Sequence, residues 1–304
     1  MGGTPATVAS SLRSAEGQSE GPMQLMFLGS AASEGYPNAF CGCDNCRAAR
    51  AAGGPSLRKR SSALVDDALL IDLGPDLMAA AQIHGVSLHT IRYCLQTHEH
   101  EDHLDPGHFL SRSAYCRVPD VLLLEYYASS AALAKVAAAL REYAPEGSLT
   151  DAAVEEKLRV RVCQIQAGET FEVGPYRVTA VAADHIPQAM LFLIERDGRR
   201  LLYGTDTGPL PEAAWETLAA AGAPIHVAVL DHTFGLAERA RGHMNWEQLV
   251  EQVERMRAEG LLADGARIFA HHLGHHSNPP HEELSAFAAA RGYEVAYDGL
   301  RVEV

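Results

Sequence analysis

The sequence has 304 residues and a mass of 32.7 kDa, which fits one large domain or two small ones. Acidic residues outnumber basic ones by 39 to 25, so the formal net charge is −14, which disfavours binding to the phosphate backbone of DNA or RNA. With 47% hydrophobic residues, the composition is that of a globular protein with a core. The sequence contains no apolar run of about 18 residues, so it predicts no membrane-spanning helix. A small anionic substrate in a local cationic or metal-containing pocket remains compatible with this charge.

The N-terminal region and the cysteines bear on location. Residues 1–22 are rich in Ser, Gly and Glu and lack an apolar centre, so we predict a disordered tail without a signal peptide. Three of the six cysteines are crowded together as Cys41, Cys43 and Cys46. This crowding disfavours a secreted disulfide framework and favours a metal site in the reducing cytoplasm. Three thiolates could wrap one zinc ion, and a closed tetrahedral site needs a fourth ligand.

Apolar patterning predicts a mixed α/β architecture. Helical periodicity and strand-length apolar runs alternate in the last third of the chain, whereas strands come in consecutive pairs before it, which indicates an α/β sandwich of mixed sheets. No repeat or linker divides residues 23–304, so we expect a single domain with a helical insertion near residues 125–150 that could cover the active site. The predicted strands are 24–28, Ser62–Val65, Leu69–Ile71, 92–96, 121–124, 159–165, Tyr176–Ala182, 191–195, 200–203, 227–230, 267–270 and 294–304. The predicted helices are 75–84, 125–142, 211–221, 245–259 and 280–291.

The strongest chemical signal is the segment Thr97-His98-Glu99-His100-Glu101-Asp102-His103, directly after the predicted strand over 92–96. Two histidines separated by one residue can present their imidazoles from one side of an extended loop. The Asp-His pair on the following turn can face a second ion nearby, and zinc, manganese and iron all accept imidazole and carboxylate ligands. Further metal-ligand side chains also follow predicted strands: His185, Asp206, His271 and His272. Together they predict a shared metal site.

In this order, H-x-H-x-D-H followed by His, Asp and His, the residues resemble the metallo-β-lactamase superfamily, in which the pattern builds a two-metal centre. The resemblance implies an αββα sandwich with the metals at one edge. His271 competes with His272 for the last ligand position, and spacing does not separate them. By matching positions, His98, His100 and His185 would hold one ion, Asp102, His103 and His272 would hold the other, and Asp206 would bridge the two.

The N-terminal loop narrows the resemblance. Gly29-Ser30-Ala31-Ala32, Gly35-Tyr36-Pro37 and the cysteine cluster are similar to the phosphoribosyl 1,2-cyclic phosphate phosphodiesterase (PhnP) family and to the PqqB proteins of pyrroloquinoline quinone biosynthesis. In both, the C-x-C-x-x-C motif belongs to a structural zinc site. The H-x-x-H of the phosphodiesterase family implies that His275 is the fourth ligand, beside Cys41, Cys43 and Cys46.

The phosphodiesterase branch is favoured by residues 292–299 and by Arg241-Gly242-His243-Met244-Asn245, which lies where that family carries its catalytic histidine. The resemblance implies hydrolysis of a small cyclic phosphate ester, a phosphoribosyl 1,2-cyclic phosphate, by a hydroxide activated by two divalent ions. These ions would be manganese or zinc, with iron as an alternative, and one structural zinc would be added. His243 would protonate the leaving alkoxide as general acid, and Asp102 is the second expected catalytic residue.

Other reactions of the same fold stay open. A PqqB-like enzyme would use iron for an oxidative step, and a lactonase or thioesterase would need an apolar acyl pocket. A ribonuclease Z-like nuclease is disfavoured by the net charge of −14. The expected partner is a small anionic phosphate ester, without nucleic-acid or membrane partners, and a homodimer is compatible with the sequence.

Two segments each have two possible roles, and a third departs from the pattern of the family. Arg58, Lys59 and Arg60 are a candidate anion site or a solvated turn. His232 either orients a metal ligand or lies on an exposed loop. Residues 186–190 lack the glycine expected shortly after the His185 ligand.

Overall fold

The computed structural model describes residues 21–143, 148–222 and 224–304, so the first twenty residues of the predicted tail lie outside the described part. Two sheets of seven strands form the centre of this part. In chain order the strands are β1 (Gln24–Gly29), β2 (Ser62–Val65), β3 (Leu69–Ile71), β4 (Tyr93–Leu95), β5 (Leu124–Ala128), β6 (Val160–Gln164), β7 (Thr170–Val173), β8 (Tyr176–Ala182), β9 (Met190–Arg196), β10 (Arg199–Gly204), β11 (Ile225–Asp231), β12 (Leu262–His271), β13 (Glu294–Val295) and β14 (Arg301–Glu303). The sheet orders are β14-β1-β2-β3-β4-β5-β6 and β13-β12-β11-β10-β9-β8-β7.

Helices cover the outer face of each sheet. Apolar side chains of α2 to α5 pack on the first sheet, and those of α6 to α8 pack on the second. The described helices are α1 (Asp44–Ala52), α2 (Leu77–His84), α3 (Gly107–Ser111), α4 (Ser130–Leu140), α5 (Ala152–Leu158), α6 (Glu212–Ala221), α7 (Trp246–Ala258) and α8 (His281–Ala289). The layers are therefore helix, sheet, sheet, helix, and the predicted αββα sandwich is confirmed.

Alternation along the strands produces these layers. In β1, Leu25 and Phe27 point into the core between the sheets, while Met26 and Leu28 point toward the helices on the outer face. A strand that is buried on both faces reads as a continuous apolar run, because successive side chains point to opposite faces.

Strand directions place the loops that carry the metal-ligand side chains. β3, β4, β5 and β6 are parallel, as are β10, β11 and β12. β8 runs in the direction of β10 because both are antiparallel to β9. The carboxyl ends of β8, β10, β11 and β12 therefore lie at one edge of the second sheet, beside the end of β4 in the first.

The helix predicted over 125–142 is wrong in its first residues. Leu124–Ala128 is β5, paired between β4 and β6, and the helix α4 begins only at Ser130. Tyr126 and Tyr127 face opposite sides of the sheet, and the Ala-rich stretch after them supplied the helical periodicity. The first part of the segment predicted as an insertion is thus a strand of the first sheet.

Three helices and one strand, α1, α3, α5 and β7, were not predicted, and each has only four to nine residues. Short elements give too few turns or alternations for a period to be read. The start of α7 was predicted correctly, since the Asn245 side chain caps it in a reciprocal capping box with Gln248. None of the described helices is long and apolar enough to cross a membrane.

Candidate metal centre

The first group of donors comes from three loops, which follow β4, β8 and β10. Nδ1 of His100 lies 3.1 Å from Nε2 of His185, and Oδ2 of Asp206 lies 3.5 Å from Nε2 of His98. Oδ2 of Asp206 is also 3.7 Å from Nε2 of His185. All four ligand atoms lie within 4.8 Å of one another, so the structure brings together the residues expected to hold one ion. We call His98, His100, His185 and Asp206 the first donor set.

The second group shares Asp206 and adds residues from the loops after β4 and β12. Nε2 of His272 lies 2.8 Å from Oδ1 of Asp206 and 3.4 Å from Oδ2 of Asp102. Nε2 of His103 lies 3.2 Å from Oδ2 of Asp206 and 3.3 Å from Oδ2 of Asp102. Each of these side chains is buried. We call Asp102, His103, Asp206 and His272 the second donor set.

Two of these donors sit on strained backbone. Asp206 has φ 56° and His272 has φ 57°, in the left-handed region that non-glycine residues rarely occupy. Strain of this kind costs about 1–3 kcal/mol and persists where the surroundings hold it for a functional reason. At both positions the chain turns sharply at a strand end, and the side chain is directed into the site.

A buried carboxylate missed by sequence reasoning holds His103. Oδ2 of Asp72 lies 2.6 Å from Nδ1 of His103, while Oδ1 accepts hydrogen bonds from Thr97 N and Gln96 Nε2. A carboxylate at Nδ1 keeps the proton there and leaves Nε2 free to bind a metal. Asp72 itself has φ 66° and follows β3 directly. The only available sequence signal was its place at a strand end, because Ile71-Asp72 belongs to no motif.

Hydrogen bonds also orient two of the three histidines of the first donor set. Nδ1 of His98 lies 2.9 Å from Oγ1 of Thr97, and Nδ1 of His185 lies 3.1 Å from the carbonyl oxygen of Gly242. These contacts turn the opposite ring nitrogen, Nε2, toward Asp206 in both residues. The loops therefore present unprotonated nitrogens rather than N–H groups to the centre of the set.

The donor chemistry fits divalent metal ions. Nε2 of His98 is buried and has no hydrogen-bond partner among the described residues. Leaving such an atom uncovered costs free energy, and a coordinated cation would remove that cost. Burial tends to raise the pKa of Asp102, but the imidazoles of His103 and His272 hold it well below its usual range, so its carboxylate is ionised. Imidazole and carboxylate together suit zinc, manganese or iron.

His243, the expected general acid, lies beside both donor sets. Its ring centroid is 4.8 Å from that of His185 and 5.5 Å from that of His272. Its Nδ1 lies 2.9 Å from Oδ2 of Asp231, which is fully buried. Burial lowers the pKa of His243, but the Asp231 carboxylate outweighs this effect and raises it above its ordinary value. Its side chain keeps 19% exposure, so solvent or a substrate can reach it.

Thr233 links this pair to the second donor set. Its Oγ1 lies 2.8 Å from Nδ1 of His272 and 3.0 Å from Oδ2 of Asp231. Asp231 also accepts hydrogen bonds from the backbone N–H groups of Thr233 and Met244. Sequence reasoning singled out His232 in this segment and passed over its two neighbours, whose side chains point into the site.

The structure separates the two histidines that spacing could not. His272 faces Asp206, whereas His271 lies between Oγ1 of Thr205 and the carbonyl oxygen of Gly29. Burial lowers the pKa of His271 to about 3, so its ring is neutral. It therefore holds the loop rather than joining either donor set.

His232 is neither exposed nor in contact with a proposed metal ligand. Its Nδ1 lies 2.8 Å from Oδ1 of Asn278 and its Nε2 lies 3.1 Å from the hydroxyl of Tyr293. Both interpretations from sequence are therefore wrong. Asn278 also donates to the carbonyl oxygens of His232 and Gly274, so these contacts join the loop after β11 to the loop that carries His272.

The cysteine cluster meets the same C-terminal loop. Sγ of Cys46 lies 3.4 Å from Nδ1 of His275, and Sγ of Cys43 lies 3.7 Å from it. With Cys41 these atoms lie within 4.8 Å of one another, which suits a tetrahedral zinc ion. Cys43 caps the start of α1, so the backbone N–H of Cys46 points at its sulfur. Asn45 donates a further hydrogen bond to the His275 carbonyl oxygen.

The basic triplet is not an anion site. Arg58 is buried and donates to Ser30 Oγ and the Ala296 carbonyl oxygen. Arg60 forms a bidentate pair with Asp76, and Lys59 lies 3.5 Å from Asp298. All three cations are used inside the fold.

The three remaining cysteines differ in their burial. Cys94 is buried, Cys163 is half-buried and Cys116 is exposed. Burial raises the pKa of the Cys94 thiol well above its usual value, so it is not a nucleophile.

Comparison with solved structures gives the same fold. A diphosphatase from the PhnP family has 22% sequence identity and a TM-score of 0.70, with 93% of this chain and 97% of that chain covered. Zn²⁺-bound PqqB from Methylobacterium extorquens has 22% identity and a TM-score of 0.66, covering 92% of this chain and all of that one. The short form of human tRNase Z has 13% identity and a TM-score of 0.57, with 92% and 98% covered. Identities this low establish the fold and leave the substrate open.

Sequence comparison identifies the family. No curated protein matches the chain. The family model described as the beta-lactamase superfamily domain matches residues 68–263, more than half of the chain. The matched range contains six of the seven residues that form the two donor sets. The chain therefore belongs to the beta-lactamase superfamily, as a hydrolase of the metallo-β-lactamase fold with clusters suited to divalent metal ions.

Proposed function

We propose that this protein is a metal-dependent phosphodiesterase that hydrolyses a small cyclic phosphate ester, a phosphoribosyl 1,2-cyclic phosphate. The observation that carries the proposal is the pairing of His243 with the buried Asp231 beside two donor sets that share Asp206. Phosphate-ester hydrolysis needs charge neutralisation at phosphorus and a proton for the leaving oxygen. Divalent ions held by the donor sets would supply the first, and His243 would supply the second.

The first and second donor sets would each hold one divalent ion, and the cysteine cluster with His275 would hold a structural zinc. When bound, paired divalent ions neutralise charge on the phosphoryl oxygens and lower the pKa of water. Asp206 belongs to both sets, with Oδ2 near Nε2 of His98 and of His103 and Oδ1 near Nε2 of His272, so its carboxylate would be shared between the two ions. Asp72, Thr97 and Thr233 hold the imidazoles in the tautomer that leaves a donor nitrogen facing inward.

His243 then acts on the leaving group. Asp231 holds the proton on Nδ1 and directs Nε2 outward, and its charge stabilises the imidazolium form. The protonated ring donates its Nε2 proton to the departing ribose oxygen. Met244 and Thr233 fix Asp231 through their backbone N–H groups, so the acid is oriented before the substrate binds.

Three features support a small phosphate ester as the partner. The N-terminal loop and the Arg241–Asn245 segment resemble the PhnP family, and the similar diphosphatase belongs to that family. The net charge of −14 disfavours a nucleic-acid substrate. A diphosphate ester is the second candidate, because the PhnP-family neighbour is a diphosphatase.

The first experiment combines metal analysis with hydrolysis of bis(p-nitrophenyl) phosphate, before and after manganese is added. We expect three metals per chain, one at each of the three clusters, and hydrolysis that depends on metal. A phosphoribosyl 1,2-cyclic phosphate and a dinucleoside diphosphate are then compared by kcat/KM, and a higher value for the cyclic ester supports the proposal.

The role of His243 is tested by comparing the activity of His243→Ala with that of a matched control, His276→Ala. His276 is suitable because its side chain is 47% exposed and lies outside both donor sets. A metal-loaded protein without any phosphodiesterase activity would overturn the proposal. Bound iron with oxygen-dependent turnover would instead favour an oxidative, PqqB-like reaction.

A further inference from the structure

Helix α4 contacts both loops that carry the histidines of the first donor set. Its apolar side chains Ala132, Val136 and Leu140 are buried against the first sheet, which anchors the helix. Its polar side chains and its N-terminus are then turned toward the ends of β4 and β8. These polar contacts do not contribute to burial of the core, so they must serve another purpose.

The first contact is made by Lys135. Its Nζ donates a 2.5 Å hydrogen bond to the carbonyl oxygen of Glu99, the residue between His98 and His100. It also lies 3.2 Å from the Glu101 carboxylate. The Lys135 side chain is 25% exposed, so most of its surface is covered by neighbouring residues. A charged donor to a backbone carbonyl is stronger than a neutral one.

The second contact is made by Gln188, three residues after His185. Its Oε1 accepts hydrogen bonds from Ser130 Oγ at 2.8 Å and from the backbone N–H of Ala131 at 3.1 Å. Gln188 has φ 67°, a left-handed conformation that glycine adopts more readily, and it lies in the segment where a glycine was expected after His185. Its side chain bonds the first turn of α4, next to the N-cap residue Ser129, and glycine could not make this contact.

We propose that Lys135 and Gln188 are positioning residues, which fasten the His98–His100 loop and the His185 loop to one helix and so set the metal affinity of the first donor set. The proposal rests on the assignment of that set as a metal site in the proposed function. The second donor set shares the 98–103 loop but has additional supports, Asp72 at His103 and Thr233 at His272. The prediction is therefore a larger effect on the ion of the first set than on its neighbour.

The test is a Co²⁺ titration of the metal-free full-length protein, followed by visible absorption and calorimetry. Lys135→Met should weaken one of the two His/Asp binding events by about 10–100-fold, as loss of an outer partner of a ligand does elsewhere. Thiolate-to-cobalt absorption from the cysteine cluster should stay unchanged. The Lys135→Met pattern should match that of His185→Ala, which removes a donor of the first set, and not that of His272→Ala.

Paired variants separate positioning from folding. Lys157→Met is the matched control, because Lys157 on α5 also donates to a backbone carbonyl, that of Tyr143, away from both donor sets. Lys135→Arg keeps a cationic donor and should restore the affinity. Gln188→Ala should weaken the same binding event, whereas Gln188→Glu keeps an acceptor for α4 and should not. Thermal unfolding of each metal-free variant verifies the fold.

Titrations of Lys135→Met and Gln188→Ala that match the wild type would overturn the proposal, as would equal weakening of both His/Asp binding events. Neither outcome depends on the substrate. A selective loss of one event in a protein without phosphodiesterase activity would support the positioning role and reject the proposed function.

Discussion

Asp72 and His103 form a buried carboxylate–imidazole pair with 2.6 Å between Oδ2 and Nδ1, and neither side chain is exposed. The other oxygen of Asp72 accepts hydrogen bonds from Thr97 and Gln96, so the carboxylate cannot turn. The pair decides which nitrogen of His103 carries the proton.

Asp72→Asn should therefore reverse the tautomer of His103. Thr97 and Gln96 would keep the Asn oxygen at the Oδ1 position, which leaves the amide NH₂ facing Nδ1. The proton would then move to Nε2, where the metal should bind, and affinity at the second donor set should fall by about 10–100-fold. Metal titration measures this loss. Asp66→Asn is the control, because Asp66 is also a buried carboxylate but pairs with Tyr176 and Arg196 away from the site.

His243→Ala should slow turnover in a way that depends on the leaving group. Loss of a general acid costs about 10²–10⁴-fold for a poor leaving group such as a ribose alkoxide. The p-nitrophenolate of bis(p-nitrophenyl) phosphate leaves without a proton, so its hydrolysis should fall much less. Both rates are measured on protein with verified metal content. Equal losses for the two substrates would contradict the assignment of His243 as general acid.

Asp206→Asn should remove both ions of the paired centre while the cysteine cluster keeps its zinc. Asn tolerates the φ of 56° that Asp206 adopts, so the backbone can stay in place. The amide lacks the charge that offsets two cations, so elemental analysis should show a drop of two metals per chain, from the two sets that share Asp206. Unchanged metal content would exclude a bridging role.

The cysteine cluster should contribute to stability through its zinc. Cys46→Ser removes a thiolate from a cluster that joins the start of α1 to the loop of His275. We expect a clear fall in Tm and a smaller Tm decrease on adding a chelator than in the wild type, since only the ions of the two donor sets would be left to remove. Cys116→Ser is the matched control, because Cys116 is exposed and lies outside the cluster.

Acid should destabilise the protein partly through His232. Burial lowers the pKa of His232 to about 4 in the folded state, against about 6.5 unfolded. Between pH 6.5 and 4, His232 is protonated in the unfolded chain but stays neutral in the folded chain. The free energy of unfolding therefore falls as the pH drops toward 4. Between pH 7.5 and 5.5 this histidine should account for about 1 kcal/mol of lost unfolding free energy. Urea unfolding at the two pH values should show a loss that is smaller by about 1 kcal/mol in His232→Gln than in the wild type, because other buried histidines such as His271 contribute to both proteins.

Periodicity and motifs in the sequence predicted the elements that have a regular apolar pattern. The strand Tyr176–Ala182 was predicted with its exact ends, because Gly174 and Pro175 precede it, Asp184 follows closely, and the stretch between them is mostly apolar. The strand at Leu124–Ala128 was predicted as helix because its tyrosines precede an Ala-rich run. Its pairing between β4 and β6 depends on tertiary structure and cannot be predicted from local sequence.

The donors were predictable because histidines and aspartates stood at strand ends. Asp72 and Thr233 were not, since one is an isolated carboxylate and the other an ordinary hydroxyl residue. Their roles depend on which strands lie side by side, and on the left-handed turns at Asp72 and His272 that no pattern of residue types reports.

The pairing of β1 with β14 affects how the chain reaches this state. Gln24 aligns with Glu303 in the first sheet, so that sheet is completed by segments from nearly opposite ends of the sequence. His272 likewise joins a site whose first ligands come from residues 98–103. During synthesis on the ribosome, β1 has no β14 partner and the metal site lacks His272 until the C-terminal part of the chain emerges. Such a chain folds slowly for its size and exposes edge strands to aggregation meanwhile, so its yield in a cell should depend on translation rate and on chaperones.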